Sequence, residues 1–365
     1  MSKILLIGDT HLGLGYPNKL DHFFKVSTEY FEKFLFPILN KLTKDDIIIH
    51  LGDLFDNRNI VPINILNYAQ SILEKMSKIC PVHIIIGNHD IYNKSDNEIN
   101  SLKAYSYIPN VSVYETTTKI IFNNNSLLLM PWVEDRKTQI EILKEYSGCE
   151  YLFCHSDLNG AKMHLTSVGH RNSDKIDVEE FSGYKHVYSG HIHLVQKNKN
   201  FTYVGSIHEM DRNDIDNQKG IFILDTNKDA EIFVPNNISP KFRKIYINKE
   251  EDIELLSEGI TKDWIDLFIS SSLLVNNRKL RRKIEILLQD GNFSTVEYID
   301  DIAPDETVVE TEVNENLSIN LDYNEYIKNY IESQNYEIDK IKVGILNEFS
   351  NVIEIYKESK KKLDV

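Results

Sequence analysis

Side chains that can bind a metal ion occur at five points in the first 193 residues, each directly after a short, mainly apolar run. Such runs, bounded by turn residues, predict buried strands. The polar residues that follow these runs or close them are Asp9, His11, Asp53, Asn88, His89, Asp90, His155, His191 and His193. Because open α/β sheets bind ligands outside the carboxyl ends of their strands, we expect these side chains to share one rim.

These residue types suit a centre of two divalent metal ions. Two such ions about 3.5–4 Å apart can hold the attacking and leaving oxygens of a phosphoryl transfer. One carboxylate shared by both ions fixes that spacing, and neutral imidazoles and an amide complete the ligand set. Nitrogen and oxygen ligands without a thiolate favour manganese, iron or zinc over calcium. A further histidine that binds no metal can protonate the leaving alkoxide.

Each motif has a structural interpretation as well as a functional one. Taken alone, Asp9-x-His11 more often marks a capped turn than a metal site, but five motifs that all follow strands favour the metal centre. Most of the other histidines are expected in the core or at the surface. His208 follows a predicted strand, so a place near the rim and a purely structural role both stay open.

The order of predicted elements indicates an α/β fold with two sheets packed face to face. Apolar residues at helical spacing predict a helix after the first strand, which Pro37 should kink or shorten, and a second helix at about 63–79. Short consecutive strands are expected at 111–130 and 202–234. We assign 1–237 to this first domain.

The rest of the chain divides into three predicted parts. Residues 238–292 alternate strand-like and helix-like stretches and predict a small α+β domain, with a basic run at 278–283 that either contacts DNA phosphates or forms a solvated helix face. Residues 293–316 are assigned to an acidic linker and 317–365 to a helical segment. Apolar residues recur along that segment in one stripe. The stripe consists of Ile338, Ile341, Ile345, Phe349, Val352 and Tyr356.

Charge and cysteine content narrow the class of protein. The formal net charge is −15, and nine acidic residues without a basic one fall within 290–315. This balance argues against a protein that coats DNA by itself. Three cysteines without a Cys-x-x-Cys pair indicate a reducing compartment. With no apolar run of about 18 residues, we expect a cytoplasmic protein that makes no membrane contact.

The motifs together resemble those of the calcineurin-like metallophosphoesterases, and within them the SbcD-type nuclease subunits of DNA double-strand-break repair complexes, including the phage forms of T-even type. The resemblance is strong over about 1–240. It implies a two-sheet sandwich flanked by helices, a small capping domain and a C-terminal helical segment that binds a partner. The motifs are Asp9-x-His11, Gly52-Asp53-x-x-Asp56, Gly87-Asn88-His89-Asp90, His155-Ser156-Asp157-Leu158-Asn159-Gly160 and Gly190-His191-x-His193.

The resemblance also implies a role for each residue. The first ion would be held by Asp9, His11 and His193. The second ion would be held by Asn88, His155 and His191, and Asp53 would bridge the two. His89 would be the general acid, with Asp90 orienting it. Asp56 stands where cellular members have a second histidine, so that a catalytic role and the capping of a turn are both open for it.

The implied activity is exonucleolytic and endonucleolytic cleavage of DNA with two divalent ions, Mn²⁺ in preference to Mg²⁺. A phosphatase or small-molecule phosphodiesterase is the enzymatic alternative, although Gly87-Asn88-His89-Asp90 departs from the Ser/Thr phosphatase motif. A non-catalytic scaffold for an ATPase is the third hypothesis. The family also implies a homodimer within a heterotetramer, whose SbcC-type, SMC-like ATPase would bind the C-terminal stripe, in the host cytoplasm if the source is viral.

Overall fold

The structure is a computed structural model that describes residues 2–15, 19–93, 96–167, 169, 172, 174–256, 263–275, 278–290 and 293–299. Its strands, in chain order, are β1 Lys3–Ile7, β2 Ile47–His50, β3 Val82–Ile85, β4 Ile91–Asn93, β5 Asp96–Asn100, β6 Val111–Tyr114, β7 Thr118–Phe122, β8 Asn125–Met130, β9 Tyr151–His155, β10 His186–Gly190, β11 Gln196–Asn198, β12 Phe201–Tyr203, β13 Gly220–Asp225, β14 Ala230–Pro235, β15 Phe242–Ile247, β16 Trp264–Ser270 and β17 Phe293–Ile299. The α-helices are α1 Leu20–Glu29, α2 Phe36–Leu39, α3 Ile63–Ser77, α4 Arg136–Glu145, α5 Ser271–Val275 and α6 Arg278–Asp290.

Two six-stranded sheets form the body of the protein, as expected for the α/β class. The first has the order β14-β13-β1-β2-β3-β6 and the second the order β11-β12-β10-β9-β8-β7. Strands β1, β2 and β3 run parallel to one another, and β9 runs parallel to both β8 and β10. The parallel strands therefore end on the same side within each sheet, which is where their polar C-terminal residues accumulate.

Alternation of side chains along the strands builds three apolar layers. In β1, Ile4 and Leu6 belong to a cluster shared with Leu127 and Phe153 of the second sheet, so the two sheets pack face to face. The intervening residues of β1 point to the other face and pack with α3 and the first helices. A third cluster covers the outer face of the second sheet beneath α4. The sheets are thus buried on both faces, which explains their continuous apolar runs.

The first long helix is irregular just before its proline, as predicted. Between α1 and α2 the chain forms a π-helix at Tyr30–Leu35. Pro37 has no N–H to donate to a carbonyl of the preceding turn. A π-helical turn accommodates this missing hydrogen bond. Four residues of this turn remain buried, so the irregularity lies against the core.

A third, smaller sheet follows the sandwich, with the parallel order β15-β16-β17. Helix α6 packs on it through Leu280 and Ile284. Residues 1–302 form one compact unit, so this sheet is not detached from the sandwich. Its Trp264 packs against Phe23 of α1 and hydrogen-bonds to His22.

The third strand corrects one predicted boundary. Strand β17 lies within 293–316, which the sequence analysis assigned to an acidic linker, and it pairs with β16 along its length. The small α+β part therefore extends beyond residue 292. The rest of that stretch and the helical segment at 317–365 lie outside the described residues. No helix in the part of the chain that the structure describes could span a membrane.

Candidate metal centre

The seven predicted metal ligands come together at the carboxyl ends of the parallel strands. The loop after β1 contributes two of them, the loops after β2 and β3 one each, β9 its last residue, and the loop after β10 the remaining two. These residues are Asp9, His11, Asp53, Asn88, His155, His191 and His193. All except His191 and His193 are buried, so the ligands lie below the surface of the rim.

Asp9, His11 and His193 form a first group that could hold a cation, since one ligand atom from each lies within 4.8 Å of the others. The Nε2 atoms of His11 and His193 are 3.1 Å apart, and Nε2 of His193 is 3.9 Å from Oδ2 of Asp9. Burial and the charges of His11 and Lys219 lower the pKa of His193 well below its usual value. Its imidazole is therefore neutral and able to bind a metal.

Asn88, His155 and His191 form a second group. The amide oxygen Oδ1 of Asn88 lies 2.9 Å from Nε2 of His155 and 2.9 Å from Nδ1 of His191. Nδ1 of His155 donates a hydrogen bond to the carbonyl of Leu51 at 2.7 Å. Because Nδ1 keeps its hydrogen, Nε2 of a neutral His155 presents a lone pair toward other acceptors.

Asp53 lies between the two groups. Its Oδ2 is 3.7 Å from Nε2 of His11 and 3.3 Å from Nε2 of His155, and its Oδ1 accepts the N–H of His89 at 2.8 Å. Burial alone would raise the pKa of Asp53, but the charge and hydrogen bond of His155 and the charge of His11 hold it well below its usual value. Asp53 is thus ionised and faces both groups.

This donor set fits a pair of divalent cations. Neutral Nε2 of His155, Oδ1 of Asn88 and Oδ2 of Asp53 are three acceptor atoms that face one another, and only a cation or a proton between them makes the arrangement favourable. The buried Cys154 precedes His155 but packs in the apolar layer beneath α4. The described ligands are therefore nitrogen and oxygen atoms, the set expected for manganese, iron or zinc.

Asp56 makes two contacts that hold neighbouring histidines. Its Oδ1 lies 3.2 Å from Nδ1 of His11, which leaves Nε2 of that ring directed at the first group. Its main-chain carbonyl accepts a hydrogen bond from Nδ1 of His89 at 2.6 Å. Carboxylates commonly orient metal-binding imidazoles in this way. The geometry therefore favours a positioning role for Asp56 over the capping of a turn.

Asp90 does not occupy its expected position beside the His89 ring. Its carboxylate accepts the N–H groups of Asp53, Leu54 and Phe55 and that of Gly87, at 2.8–3.3 Å. Among the described contacts the His89 ring is oriented by Asp56 instead. The family resemblance implies that Asp90 orients His89, but the turn directs the Asp90 carboxylate inward against the loop that carries Asp53.

The main chain of this rim is strained and tightly packed. His11, Asp53 and His191 have positive φ angles of 43°, 53° and 86°. Such conformations cost roughly 1–3 kcal/mol each and persist where the surrounding structure imposes them. A Cβ atom on Gly190 would come within 2.5 Å of the Leu51 carbonyl and 2.6 Å of Oδ1 of Asp9. The two sheets approach each other at this point, which brings His191 within reach of Asp9.

Two residues that the sequence analysis did not single out lie beside the second group. The centroid of a Trp132 indole ring lies 5.0 Å from that of the His191 imidazole and 5.9 Å from that of the His155 imidazole. Oδ2 of Asp157 lies 3.8 Å from Nε2 of His191. Asp157 stands in the quoted His155-Ser156-Asp157 motif and could have been noticed there, whereas Trp132 has no local sequence pattern. His208 is buried, with Nδ1 donating to the Glu209 carbonyl, and belongs to neither group.

Comparison with known proteins identifies the family of the chain. The family model for the calcineurin-like phosphoesterases matches residues 2–195, more than half of the chain. The chain therefore belongs to the calcineurin-like phosphoesterase family, which confirms the resemblance inferred from the motifs.

Several relatives extend the match beyond the family model. Exonuclease subunit 1 of Enterobacteria phage T4 is 29% identical over 245 residues, which cover 64% of this chain and 68% of that protein. Putative phosphoesterase 244L of Invertebrate iridescent virus 6 is 29% identical over 217 residues, which cover 56% of this chain and 70% of that protein. DNA double-strand break repair protein Mre11 of Methanococcus maripaludis is 26% identical over 267 residues, which cover 67% of this chain and 68% of that protein.

Metal binding should displace a proton from His155. Burial alone would lower the pKa of this histidine, but the charge and hydrogen bond of Asp53 and the charge of Asp9 raise it to about 9. A cation needs the unprotonated Nε2, so affinity should rise about tenfold per pH unit from pH 6.5 and level off near pH 9. Calorimetric titration with Mn²⁺ in buffers of different ionisation enthalpy measures the protons released. An affinity independent of pH over this interval would contradict the assignment.

Proposed function

We propose that the protein is a DNA nuclease that hydrolyses phosphodiesters with two divalent cations, Mn²⁺ in preference to Mg²⁺. The observation that carries the proposal is the convergence of two ligand groups on Asp53. The phage T4 relative and the archaeal relative are an exonuclease subunit and a double-strand break repair protein by name, and this supports DNA as the substrate.

In this proposal each residue has one task. Asp9, His11 and His193 would hold one cation, Asn88, His155 and His191 would hold the other, and Asp53 would be shared by both groups. When bound, the cations would supply Lewis-acid stabilisation of the phosphate oxygens and a water of lowered pKa. Asp56 keeps Nε2 of His11 directed inward, and Asp90 holds the main chain of the Asp53 loop.

His89 is proposed as the proton donor to the leaving oxygen. Because Nδ1 donates to the Asp56 carbonyl, Nε2 is the atom able to carry a transferable proton. Burial lowers the pKa of His89, although the charge of Asp53 partly opposes it. A lowered pKa makes the imidazolium a stronger acid but reduces the fraction of His89 that carries it at neutral pH, so donation by Nε2 should be favoured as the pH falls.

Two variants separate metal binding from proton transfer. Asp53→Ala should abolish Mn²⁺-dependent cleavage of linear duplex DNA, because both ligand groups lose their shared carboxylate. His89→Ala should bind two Mn²⁺ ions per chain and cleave about 10²–10⁴-fold more slowly, the usual contribution of a general acid. The matched control is His186→Asn. His186 is the first residue of β10, at the opposite end of that strand from His191, and it pairs with Asp229 at the surface.

Supercoiled plasmid, linear duplex and a chromogenic phosphodiester, each with Mn²⁺, distinguish the three hypotheses. A nuclease cleaves DNA, whereas a small-molecule phosphodiesterase cleaves only the chromogenic ester, and a scaffold cleaves none of them. Full activity of Asp53→Ala, or loss of an ion from His89→Ala, would show that the residue roles are wrong.

The position of Trp132 favours a substrate that has a nucleic-acid base beside the reacting phosphate. One part of its indole packs on His191, while Nε1 donates to Glu134 and the main-chain N–H to Ile86. The residue also lines a cavity of about 820 Å³ whose other lining residues include Asp96 and Glu115. Carboxylates repel phosphates but accept hydrogen bonds from base amino groups, and indoles stack on bases. We infer that a base next to the cleaved bond stacks on Trp132.

Replacement of this indole tests base recognition. Trp132→Leu should raise the KM for an oligonucleotide about 5–150-fold, the range expected from the loss of one stacked base. An oligonucleotide with an abasic site at the flanking position should be cleaved equally by the variant and the wild-type protein. An equal loss with the abasic oligonucleotide would mean that Trp132 only supports the histidines.

The partner is proposed to be an SbcC-type, SMC-like ATPase in a complex that also contains a second copy of this chain. Exposed Lys279, Arg282 and Lys283 line one face of α6 and could contact DNA phosphates, but the chain as a whole is acidic. A partner would supply the additional positive charge needed for DNA binding. The proposed docking segment is the apolar stripe at 338–356, which lies outside the described residues.

Removal of this segment should separate cleavage from assembly. A chain that ends at residue 302, the limit of the compact unit, should retain Mn²⁺-dependent cleavage of simple substrates and lose co-purification with the ATPase. The measurement is affinity capture with mass determination of the complex. Undiminished complex formation by the shortened chain would show that the stripe packs on its own protein.

A further inference from the structure

Lys219 is a buried lysine whose ammonium group lies behind the first ligand group. It immediately precedes β13 and its side chain is 4% exposed. Nζ donates hydrogen bonds to Oδ1 of Asp214 at 2.6 Å, to the main-chain carbonyl of His193 at 2.8 Å and to Oγ of Ser206 at 2.8 Å. These three acceptors match the three donors of an ammonium group.

The ion pair with Asp214 is fully enclosed and fully hydrogen-bonded. Asp214 is 5% exposed, and its carboxylate also accepts the N–H of Met210 and the amide of Asn217. Burial lowers the pKa of Lys219, and the charge of Asp214 opposes this shift. Packing alone does not require such a pair, because apolar residues of similar volume usually stabilise a core as well or better. A buried pair of this kind is therefore weak evidence of a purely stabilising role.

The ammonium group of Lys219 hydrogen-bonds to the main chain of His193, and a chain of hydrogen bonds connects it to the main chain of Asp9. The His193 carbonyl that accepts from Lys219 also accepts the N–H of Ser206. The next residue, Ile207, donates its N–H to the carbonyl of Asp9 at 3.2 Å. Lys219 thus joins the loop that carries His193 to a segment that contacts Asp9 from behind.

The same cluster reaches the end of the sandwich. The main-chain N–H of Asn236 donates to the carbonyl of Lys219 at 2.7 Å, and its amide donates to the carbonyl of Ile207 at 2.8 Å. Asn236 directly follows β14, so the lysine is fixed from the main-chain side as well. These contacts give Lys219 a defined position from which to orient His193.

We propose that Lys219, paired with Asp214, is a positioning residue that fixes His193 through its main-chain carbonyl and so shapes the first cation group. This inference rests on the proposed assignment of His193 as a metal ligand. Asn88, His155 and His191 have no contact with Lys219 among the described interactions. Loss of the lysine should therefore weaken one cation group selectively.

Mn²⁺ binding to the full-length chain tests the proposal, with calorimetric titration and electron paramagnetic resonance resolving the two binding steps. Lys219→Met should weaken one step about 10–100-fold, the usual effect of removing a residue that orients a metal ligand, and leave the other unchanged. The double variant Lys219→Met/Asp214→Asn removes both charges and should show the same selective loss. Lys197→Met is the matched control, because Lys197 forms a similar but exposed pair with Glu231 at 2.7 Å.

The outcomes are distinguishable from failure of the proposed function. If the wild-type protein binds no Mn²⁺, or binds two ions without cleaving DNA, the proposed function fails independently of Lys219. Two unaltered binding steps in folded Lys219→Met, or equal weakening of both steps, would overturn the positioning role. Loss of folding in both the single and the double variant would assign the pair to stability and overturn it as well.

Discussion

The structure depends on one electrostatic constraint, which is that acceptor atoms from five chain segments face one another at a largely buried rim. Asp9 and Asp53 are at most 2% exposed, and histidine nitrogens and an amide oxygen surround them. Such an arrangement is unfavourable unless positive charge lies within it, whether a proton or a metal ion. The two sheets, the strained turns and the close approach at Gly190 together force these atoms to stay where they are.

The residues that hold the ligands are as informative as the ligands. Asp90 fixes three consecutive main-chain N–H groups of the Asp53 loop, the main-chain carbonyl of Asp56 holds the His89 imidazole, and Lys219 holds the His193 main chain. Each of these contacts acts on the main chain or the ring of a site residue rather than on a cation. The rim is therefore preorganised by polar groups that need no contact with substrate.

The sequence predicts that the candidate ligand side chains converge at one rim because each follows or closes a strand, and strands and turn residues are local patterns. It predicts their supports poorly because those are contacts between distant segments. The family resemblance implies that Asp90 orients His89, whereas the Asp90 carboxylate accepts main-chain N–H groups of the Asp53 loop. Lys219, between a glutamine and a glycine, has the local sequence of an exposed residue. Strand β17 lies in a stretch that its acidic composition assigns to a linker, and its pairing with β16 is a contact between separate segments that composition does not indicate.

The separation of the ligands along the chain has a consequence for how the protein is made. The N–H of His191 donates to the Asp9 carboxylate across 182 positions, and β1 pairs on one side with β2 and on the other with β13. Contacts so distant in sequence form late, because the intervening chain must be ordered first. A nascent chain shorter than about 225 residues lacks the strand that completes β1. The candidate metal centre can consequently be complete only after His193 has been synthesised, and β1 gains its second partner strand only when β13 follows.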